Sequence, residues 1–362
     1  MTFQRGFDLP SGRRKKGTIP IVSSGGFSGY HDVARAKQPG IVIGRYGSIG
    51  NIFYIEEDYW PLNTTLFVKD FKSNYPLFIY YLLHTIRFEE HNGKTGVPGV
   101  NRNDLHSICV LLPPFFEQIK ISTILSTWDD LLTILIRLID TKRQQKQALA
   151  EQLLTGKRRL KGFEGEWSKM TIAGVAAEFS ERGNDTSLTV LSCTKYRGLV
   201  RSLEYFGKQI FSEDISKYKL VNRGMLAYAT NHIDEGSIGI QDIEDKAVIS
   251  PMYTVINPKR NIHGEFLISV LKTETYRQFF VTRMSASVDR RGSLRWKDFS
   301  KIPFVLPPLV EQKAIVSVLS ALDTEIDLLT RQQAKVQEQK RGLMDLLLTG
   351  KVRVQIPEEV PA

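Results

Sequence analysis

The residues of this chain whose grouping suggests chemistry are arginines and lysines. They gather as Arg13-Arg14-Lys15-Lys16, as Lys157-Arg158-Arg159 with Lys161, and as Arg283, Arg290, Arg291, Arg295 and Lys297. Cations held together in this way meet polyanions, and a formal net charge of +10 agrees with that. Lys157, Arg158 and Arg159 have a second explanation, because cations also suit a helix C-terminus. Groups that make and break bonds are missing at the spacings such work needs. There is no Gly-x-x-x-x-Gly-Lys-Ser/Thr loop for phosphates, no Gly-x-Gly-x-x-Gly nucleotide turn, no Gly-x-Ser-x-Gly elbow and no zinc spacing. The Asn/Asp-Pro-Pro-Tyr/Phe tetrapeptide of an amino-methyltransferase is absent too. His31, His84, His91, His106, His232 and His263 are scattered, and Cys109 and Cys193 build neither a disulfide framework nor a metal site. The expectation is a non-enzyme, without cofactor or metal, that directs chemistry performed by other chains.

Something must position those cations. With 362 residues, 42% hydrophobic and 24% charged, the chain has the balance of a soluble globular protein of about two or three domains. No apolar run approaches the eighteen or so residues of a spanning helix, and the first residues begin no secretory signal. A cytoplasmic protein with no membrane partner is expected.

An internal repeat sets the architecture. The stretch PPFFEQIKISTILSTWD (113 to 129) returns as PPLVEQKAIVSVLSALD (307 to 323), and LLTGKRR (153 to 159) returns as LLTGKVR (347 to 353), all at an offset of 194. Across 113 to 159 there are 19 identities in 47 aligned positions without an insertion. The periodicity is helical. Ile121, Leu125, Trp128, Leu132, Leu135, Ile139, Lys142, Lys146, Leu149 and Leu153 alternate steps of four and three, and Ile315, Leu319, Leu322, Ile326, Leu329, Gln333, Val336, Lys340, Leu343 and Leu347 keep the register. This is a coiled-coil seam. A Pro-Pro pair with Glu117 or Glu311 in the opening turn suits a helix start, and Gly156 or Gly350 followed by cations suits its end. Each helix would run about 38 residues, roughly 57 Å at 1.5 Å per residue. Lys146 and Lys340 either fix the alignment of the seam or are its solvated ends.

Residues 1 to 112 and 158 to 306 are rich in short β-branched and aromatic runs broken by Gly, Asn, Asp and Pro, which reads as mixed, strand-dominated structure. QPGIVIGRYGSIGNIFYI (38 to 55) lines up with NRGMLAYATNHIDEGSIGIQDI (222 to 243), and NRNDLHSICVLLPP (101 to 114) with RWKDFSKIPFVLPP (295 to 308), including Asp104 with Asp298. The organisation is therefore unit, helix, unit, helix, with a tail from 353 to 362; the helices span 113 to 157 and 307 to 352. Like spacers carrying two dissimilar basic modules suit a ruler that holds two readers apart. Half-sites on one face of B-DNA lie about 34 to 36 Å apart, within the span of such helices.

At this point the sequence resembles the specificity subunits of type I restriction-modification systems. The resemblance rests on the Pro-Pro-x-x-Glu-Gln starts at 113 to 118 and 307 to 312, the Leu-Leu-Thr-Gly-Lys ends at 153 to 157 and 347 to 351, the KRRLKGFEGEW junction (157 to 167), PGIVIGRYGSIG, and VISPMY (248 to 253). It covers nearly the whole chain, and its motifs are specific in combination. It implies an α+β protein: two strand-rich, mixed α/β target recognition domains, separated by two long helices that the family keeps alike and that form an antiparallel coiled coil, with a pseudo-twofold internal repeat. Each domain would read one half of a split, asymmetric double-stranded DNA sequence. The helices would dock two modification (methyltransferase) subunits, and restriction/translocase subunits would join that core as phage defence.

For DNA contact, Lys and Arg are expected on phosphates, and Arg, Asn, Gln, Ser or Thr on base edges. The candidates in the first unit are Arg13, Arg14, Lys15 and Lys16, Ser24 and Tyr30 within 23 to 30, Arg45, Tyr46 and Ser48, and Lys94 to Arg102. In the second they are Lys195, Tyr196, Arg197, Arg201, Asn231, His232, and the stretch containing Arg290, Arg291, Ser293 and Arg295, of which the Arg290-Arg291 pair is preferred. Plainer roles compete. Gly-Ser-Ile-Gly makes either a tight turn or a phosphate cradle, Arg13 to Lys16 a solvated loop, and Trp296 and Tyr46 core residues. A coiled-coil scaffold without DNA, or a self-contained nuclease, are the other classes of function. The first unit also has no counterpart to FEGEWSKMTIAGVAAEF (163 to 179), so it is expected to begin partway into the module and to lack an opening strand.

Overall fold

The computed structural model describes residues 1–91, 99–183, 185, 187–285 and 292–355, and divides into two compact units, Met1–Leu138 with Leu329–Ala362, and Ile139–Leu328. Unit 1 opens with β1 (Thr2–Arg5), the hairpin β2 (Ile19–Ser23) and β3 (Gly26–His31), then β4 (Gly40–Gly44), β5 (Ile52–Ile55), β6 (Trp60–Pro61) and β7 (Thr65–Asp70). One sheet has the order β1-β7-β4-β5 and is antiparallel throughout; the other has the order β3-β2-β6, with β2 and β6 parallel. Ile41-Val42-Ile43 is buried on both faces, which is why it reads as a continuous apolar run and not an alternating one. Helices α1 (Pro76–Leu83) and α2 (Arg102–His106) follow, and Phe78 and Leu82 pack with Ile41, Ile43 and Leu66.

Helix α3 (Phe115–Leu154) leads on to unit 2: β8 (Ser168–Thr171), α4 (Ile172–Val175), β9 (Ala176–Phe179), the hairpin β10 (Val190–Thr194) and β11 (Gly198–Arg201), α5 (Ser202–Phe206), β12 (Lys219–Asn222), β13 (Leu226–Ala229), β14 (Ile238–Ile240), β15 (Lys246–Ile249), β16 (Tyr253–Pro258), α6 (Gly264–Leu271), α7 (Glu274–Ser285), α8 (Trp296–Phe299), β17 (Pro303–Leu306) and α9 (Leu309–Leu348). The plan repeats. The order β9-β16-β13-β14 answers β1-β7-β4-β5, and β11-β10-β15 answers β3-β2-β6 with the same parallel pairing, β12 being added at its edge. The faint likeness of 38–55 to 222–243 is thus the likeness of β4–β5 to β13–β14. Unit 2 also carries an antiparallel β8–β17 ladder, for which the described residues of unit 1 have no equivalent.

Each long helix has 40 residues, about 60 Å at 1.5 Å per residue. In unit 1, Ile121 and Leu125 of α3 share a core with Leu347 and Leu348 of α9; in unit 2, Leu153 and Leu154 share one with Ile315 and Leu319. Within each unit the start of one helix therefore packs on the end of the other, antiparallel. Of the expected seam residues, Ile121, Leu125, Leu135, Leu153, Ile315, Leu319 and Leu347 are buried, and Trp128, Leu132, Leu149, Leu322, Ile326, Leu329 and Leu343 are half-buried. Lys146 pairs with Asp323, Lys340 with Asp129, and Lys142 with Glu325 at 2.7 Å. Partly exposed pairs of this kind contribute below about 1 kcal/mol each. The apolar seam supplies stability, and the lysines pair across it with acidic residues of the other helix.

The Pro-Pro-x-x-Glu-Gln motif does more than start a helix. Buried Gln118 accepts the Tyr75 N–H at 2.9 Å and donates to Pro113 and Asn74 at 3.0 Å. Gln312 repeats this, accepting the His263 N–H at 2.8 Å and donating to Pro307 at 2.8 Å and Asn261 at 3.1 Å. Tyr75 and His263 are the residues before α1 and α6, so each glutamine ties a long helix to the entry of a short one. The preceding glutamate takes a guanidinium from beyond the end of the other long helix: Arg353 Nη2 meets Glu117 at 2.6 Å and Arg159 Nη2 meets Glu311 at 2.7 Å. Arg353 holds the Glu117 carboxyl below the usual carboxylate range. That contribution is present near neutral pH and is lost as pH falls through the depressed value. Gln312→Leu should strand the His263 N–H and the Asn261 and Pro307 carbonyls, and cost about 3 kcal/mol at roughly 1 to 3 per stranded group. Urea unfolding measures it; a loss below about 0.5 kcal/mol would remove the glutamine from this role.

Among the described residues no helix is long and apolar enough to cross a membrane.

Candidate nucleic-acid interface

Four loops come together at one end of the sheets of unit 1. The β2–β3 turn holds Ser24, whose N–H donates to Thr64 Oγ1 at 3.3 Å. The β4–β5 loop holds Arg45, Tyr46 and Ser48, and the Arg45 N–H donates to the Thr64 carbonyl at 2.9 Å. The segment before α2 enters through the Val100 N–H, which donates to the Arg45 carbonyl at 3.1 Å, while Arg45 Nε returns to the Val100 carbonyl at 3.3 Å. The Arg45 guanidinium lies 4.4 Å from the centroid of the Tyr46 ring. Glycine is required at 99, because a Cβ there would sit 2.2 Å from that ring. Gly-Ser-Ile-Gly is a turn here: Gly47 and Gly50 both have positive φ, at 76° and 78°. Ser48 is exposed at its tip, and Arg102 is exposed at the start of α2.

Unit 2 gathers the same four loops with other side chains. The β10–β11 turn is Lys195-Tyr196-Arg197, its Tyr196 85% exposed. The β13–β14 loop carries Asn231 and His232, and His232 Nδ1 lies 3.2 Å from Glu235. The two loops touch, since a Cβ on Gly236 would lie 3.5 Å from the Lys195 carbonyl. The Leu294 N–H donates to the Thr230 carbonyl at 2.8 Å, the counterpart of Val100 to Arg45, and brings in Ser293 and Arg295. The β15–β16 turn supplies Met252, whose carbonyl accepts from Thr230 Oγ1 at 3.3 Å. Thr230, Asn231, Met252, Ser293 and Arg295 line a cleft of about 610 Å³. Asn231, His232 and Met252 also line a second cleft of about 330 Å³, so Asn231 and Met252 stand on the ridge between the two. Amide, hydroxyl, cationic and thioether groups set beside one another on exposed turns can meet base edges and phosphates together.

Other candidates are placed elsewhere. Arg14 Nη1 donates to the Ser28 carbonyl at 2.7 Å and the Lys15 N–H to His31 Nδ1 at 3.1 Å, which ties the Arg13 to Lys16 run along β3 toward the end away from the β2–β3 turn. Tyr30 is exposed on that strand, edge-on to Phe27 at 4.9 Å. Arg201, at the far end of β11, pairs with Glu244 at 2.8 Å and Glu204 at 3.6 Å. Lys94, Arg290 and Arg291 lie outside the described residues. Met252 and Thr64 escaped the sequence reading. VISPMY carried a signal for the first, an apolar side chain in a Ser-Pro turn; nothing in PLNTT singled out the second.

The family described as "Type I restriction modification DNA specificity domain" matches residues 7–142 and again 180–338. The type I restriction enzyme MjaVIII specificity subunit of Methanocaldococcus jannaschii is 28% identical over 306 residues, 76% of this chain and 70% of its own length. The putative MjaX specificity subunit of the same organism is 26% identical over 310 residues, 76% of this chain and 68% of its own. Among solved structures, the S subunit of the type I restriction-modification system from M. genitalium superposes with a TM-score of 0.58 at 17% identity, over 96% of this chain and 93% of that one. At that identity the likeness is one of fold.

Proposed function

Because the chain belongs to the family of type I restriction-modification DNA specificity domains, we propose that this specificity subunit reads a bipartite, asymmetric DNA sequence, one half with each unit, and is itself non-catalytic. The observation that carries this is the duplicated set of loops filled with unlike side chains: Ser24, Arg45, Tyr46, Ser48 and Arg102 in one unit, Lys195, Tyr196, Arg197, Asn231, His232, Met252, Ser293 and Arg295 in the other. A repeated scaffold with divergent tips is what two unlike half-sites require. Asn231 suits adenine N6 and N7, the arginines guanine O6 and N7, and Met252 a thymine methyl. The long helices, each shared between the two units, would set the gap between half-sites. Leu131, Ile134 and Leu138 of α3 are exposed at helical spacing, about 100° round the helix from the seam. They support docking of modification subunits, to which restriction/translocase subunits would add in the cytoplasm.

Salt dependence of binding by the reconstituted methyltransferase tests the reading. Log affinity should fall by about 0.9 units per unit of log salt for each phosphate contact, and bipartite duplex should be preferred over random duplex at physiological salt. A shallow slope with no preference would leave the chain a scaffold for proteins.

A further inference from the structure

The Arg13 to Lys16 run lies apart from the reading loops and borders a cleft of its own in unit 1. Arg13, Arg14 and Lys15 come from the segment between β1 and β2, and Arg35 from the segment after β3. Around a space of about 660 Å³ these four cations face two carboxylates, Asp8 and Asp32. Asp8 accepts from Asn63 Nδ2, and Asp32 lies 3.2 Å from His31 Nδ1. Among the described residues none of the four cations pairs with a carboxylate, and Arg13, Lys15 and Arg35 are exposed. Like charges gathered in this way repel one another until an anion neutralises them.

The fold holds these cations in place. Arg14 Nη1 donates to the Ser28 carbonyl at 2.7 Å, and its buried Nε has no hydrogen-bond partner among the described residues. The Lys15 N–H donates to His31 Nδ1 at 3.1 Å, and the His31 ring stands edge-on to Trp60 with centroids 5.0 Å apart. The Arg35 guanidinium lies 5.2 Å from the centroid of Trp60 and 5.7 Å from that of Phe7, while the Arg35 N–H donates to the Tyr59 carbonyl at 3.0 Å. Gly17 lets the loop close on β3, since a Cβ there would stand 2.1 Å from the His31 carbonyl. The other repeat treats the same place differently. At the far end of the β10–β11 hairpin, Arg201 pairs with Glu244 at 2.8 Å and Glu204 at 3.6 Å, and Arg201, Glu204 and Glu213 line a cleft of about 430 Å³ formed within residues 188–215. There the chain balances its own charge; in unit 1 it does not.

We propose that this cleft of unit 1 binds a compact polyphosphate, free or carried by a nucleotide, at a site separate from the read duplex. Guanidinium groups take phosphate oxygens two at a time, and the Lys15 ammonium adds a point charge. His31 stands at the far end of β3, about 17 Å from the β2–β3 turn at 3.3 Å per residue. A major groove is about 8.5 Å deep, so a duplex entered by that turn stops short of the cleft. The site goes beyond the DNA-reading function and does not depend on it.

The probe is inorganic tripolyphosphate, titrated calorimetrically into the full chain without DNA. Saturable binding at one site per chain is expected, weakening as salt rises. Arg13→Gln combined with Arg35→Gln should weaken it at least tenfold with the melting temperature unchanged. If that pair lowers the melting temperature, Arg13→Gln with Lys15→Gln takes its place. Lys195→Gln, at the reading end of unit 2, should leave the affinity as it was. Adenosine triphosphate bound more tightly than tripolyphosphate, and equally sensitive to the arginine changes, assigns a nucleotide as the source; equal or weaker affinity assigns the free polyphosphate. Binding that is absent, that is indifferent to the arginine changes, or that falls as far with Lys195→Gln would overturn the proposal. One-for-one displacement of tripolyphosphate by duplex DNA would give the cleft to backbone phosphate and overturn it equally. Because the first titration holds no DNA, its failure leaves the DNA-reading function standing.

Discussion

Replacing Asn231 with alanine is expected to cost about 1 to 3 kcal/mol at the half-site assigned to unit 2, a loss of roughly five- to 150-fold in affinity. Binding to random duplex should hardly change. The reason lies in the place of the side chain: Asn231 stands on a ridge between two clefts, on a loop tied to the β10–β11 turn and, through Thr230, to Met252 and Leu294. Among the described residues its side chain makes no hydrogen bond that truncation would break, so the effect should be on readout and not on folding. Lys195→Ala gives the contrasting profile. An exposed ammonium on a turn neutralises phosphate whatever the sequence, so cognate and random duplexes should weaken alike and the salt slope should fall by about 1. Competition binding with the reconstituted methyltransferase separates the two. Equal loss of cognate and random binding in Asn231→Ala would remove that residue from base contact.

The second large effect concerns neighbours on α3. Leu135 is 4% exposed and Ile134 is 60% exposed, although both are aliphatic and adjacent in sequence. Leu135→Asp sets an unpaired carboxylate in the apolar seam and should cost about 4 kcal/mol or more, enough to unfold the helix pairing. Ile134→Asp should leave the melt within a degree or two, because an exposed substitution is worth about 0.5 kcal/mol or less. Its effect should appear in assembly, where the altered subunit recovers less modification subunit on size-exclusion chromatography. A normal complex from Ile134→Asp would clear that face of α3 of the docking role.

Much of this was legible in the residues. The seam followed from steps of three and four in two copies at one offset, since a buried stripe must recur at that spacing whatever surrounds it. Gly156 and Gly350 marked the helix ends because their φ of 73° is open to glycine. What the pattern hid was long-range. Glu117 and Glu311 read as favourable charges in an opening turn, whereas each is buried against an arginine more than 150 positions away in sequence. Gln118 and Gln312 stand out in the sequence only as the last residues of the Pro-Pro-x-x-Glu-Gln starts, and their work is done on Tyr75 and His263. Arg201 and the Arg13 to Lys16 run looked equivalent to Lys195 and Arg45 because charge in a loop is visible in sequence. The strand end on which it falls is not.

The most direct measurement is the methylome of a host supplied with the modification subunit and either this chain or its Asn231→Ala, Arg197→Ala form. The account predicts one methylated motif of two short blocks divided by a fixed unread gap, with the substitutions relaxing a single block and leaving the other block and the gap unchanged. A continuous motif, or the relaxation of both blocks together, would contradict the claim that each unit reads its own half.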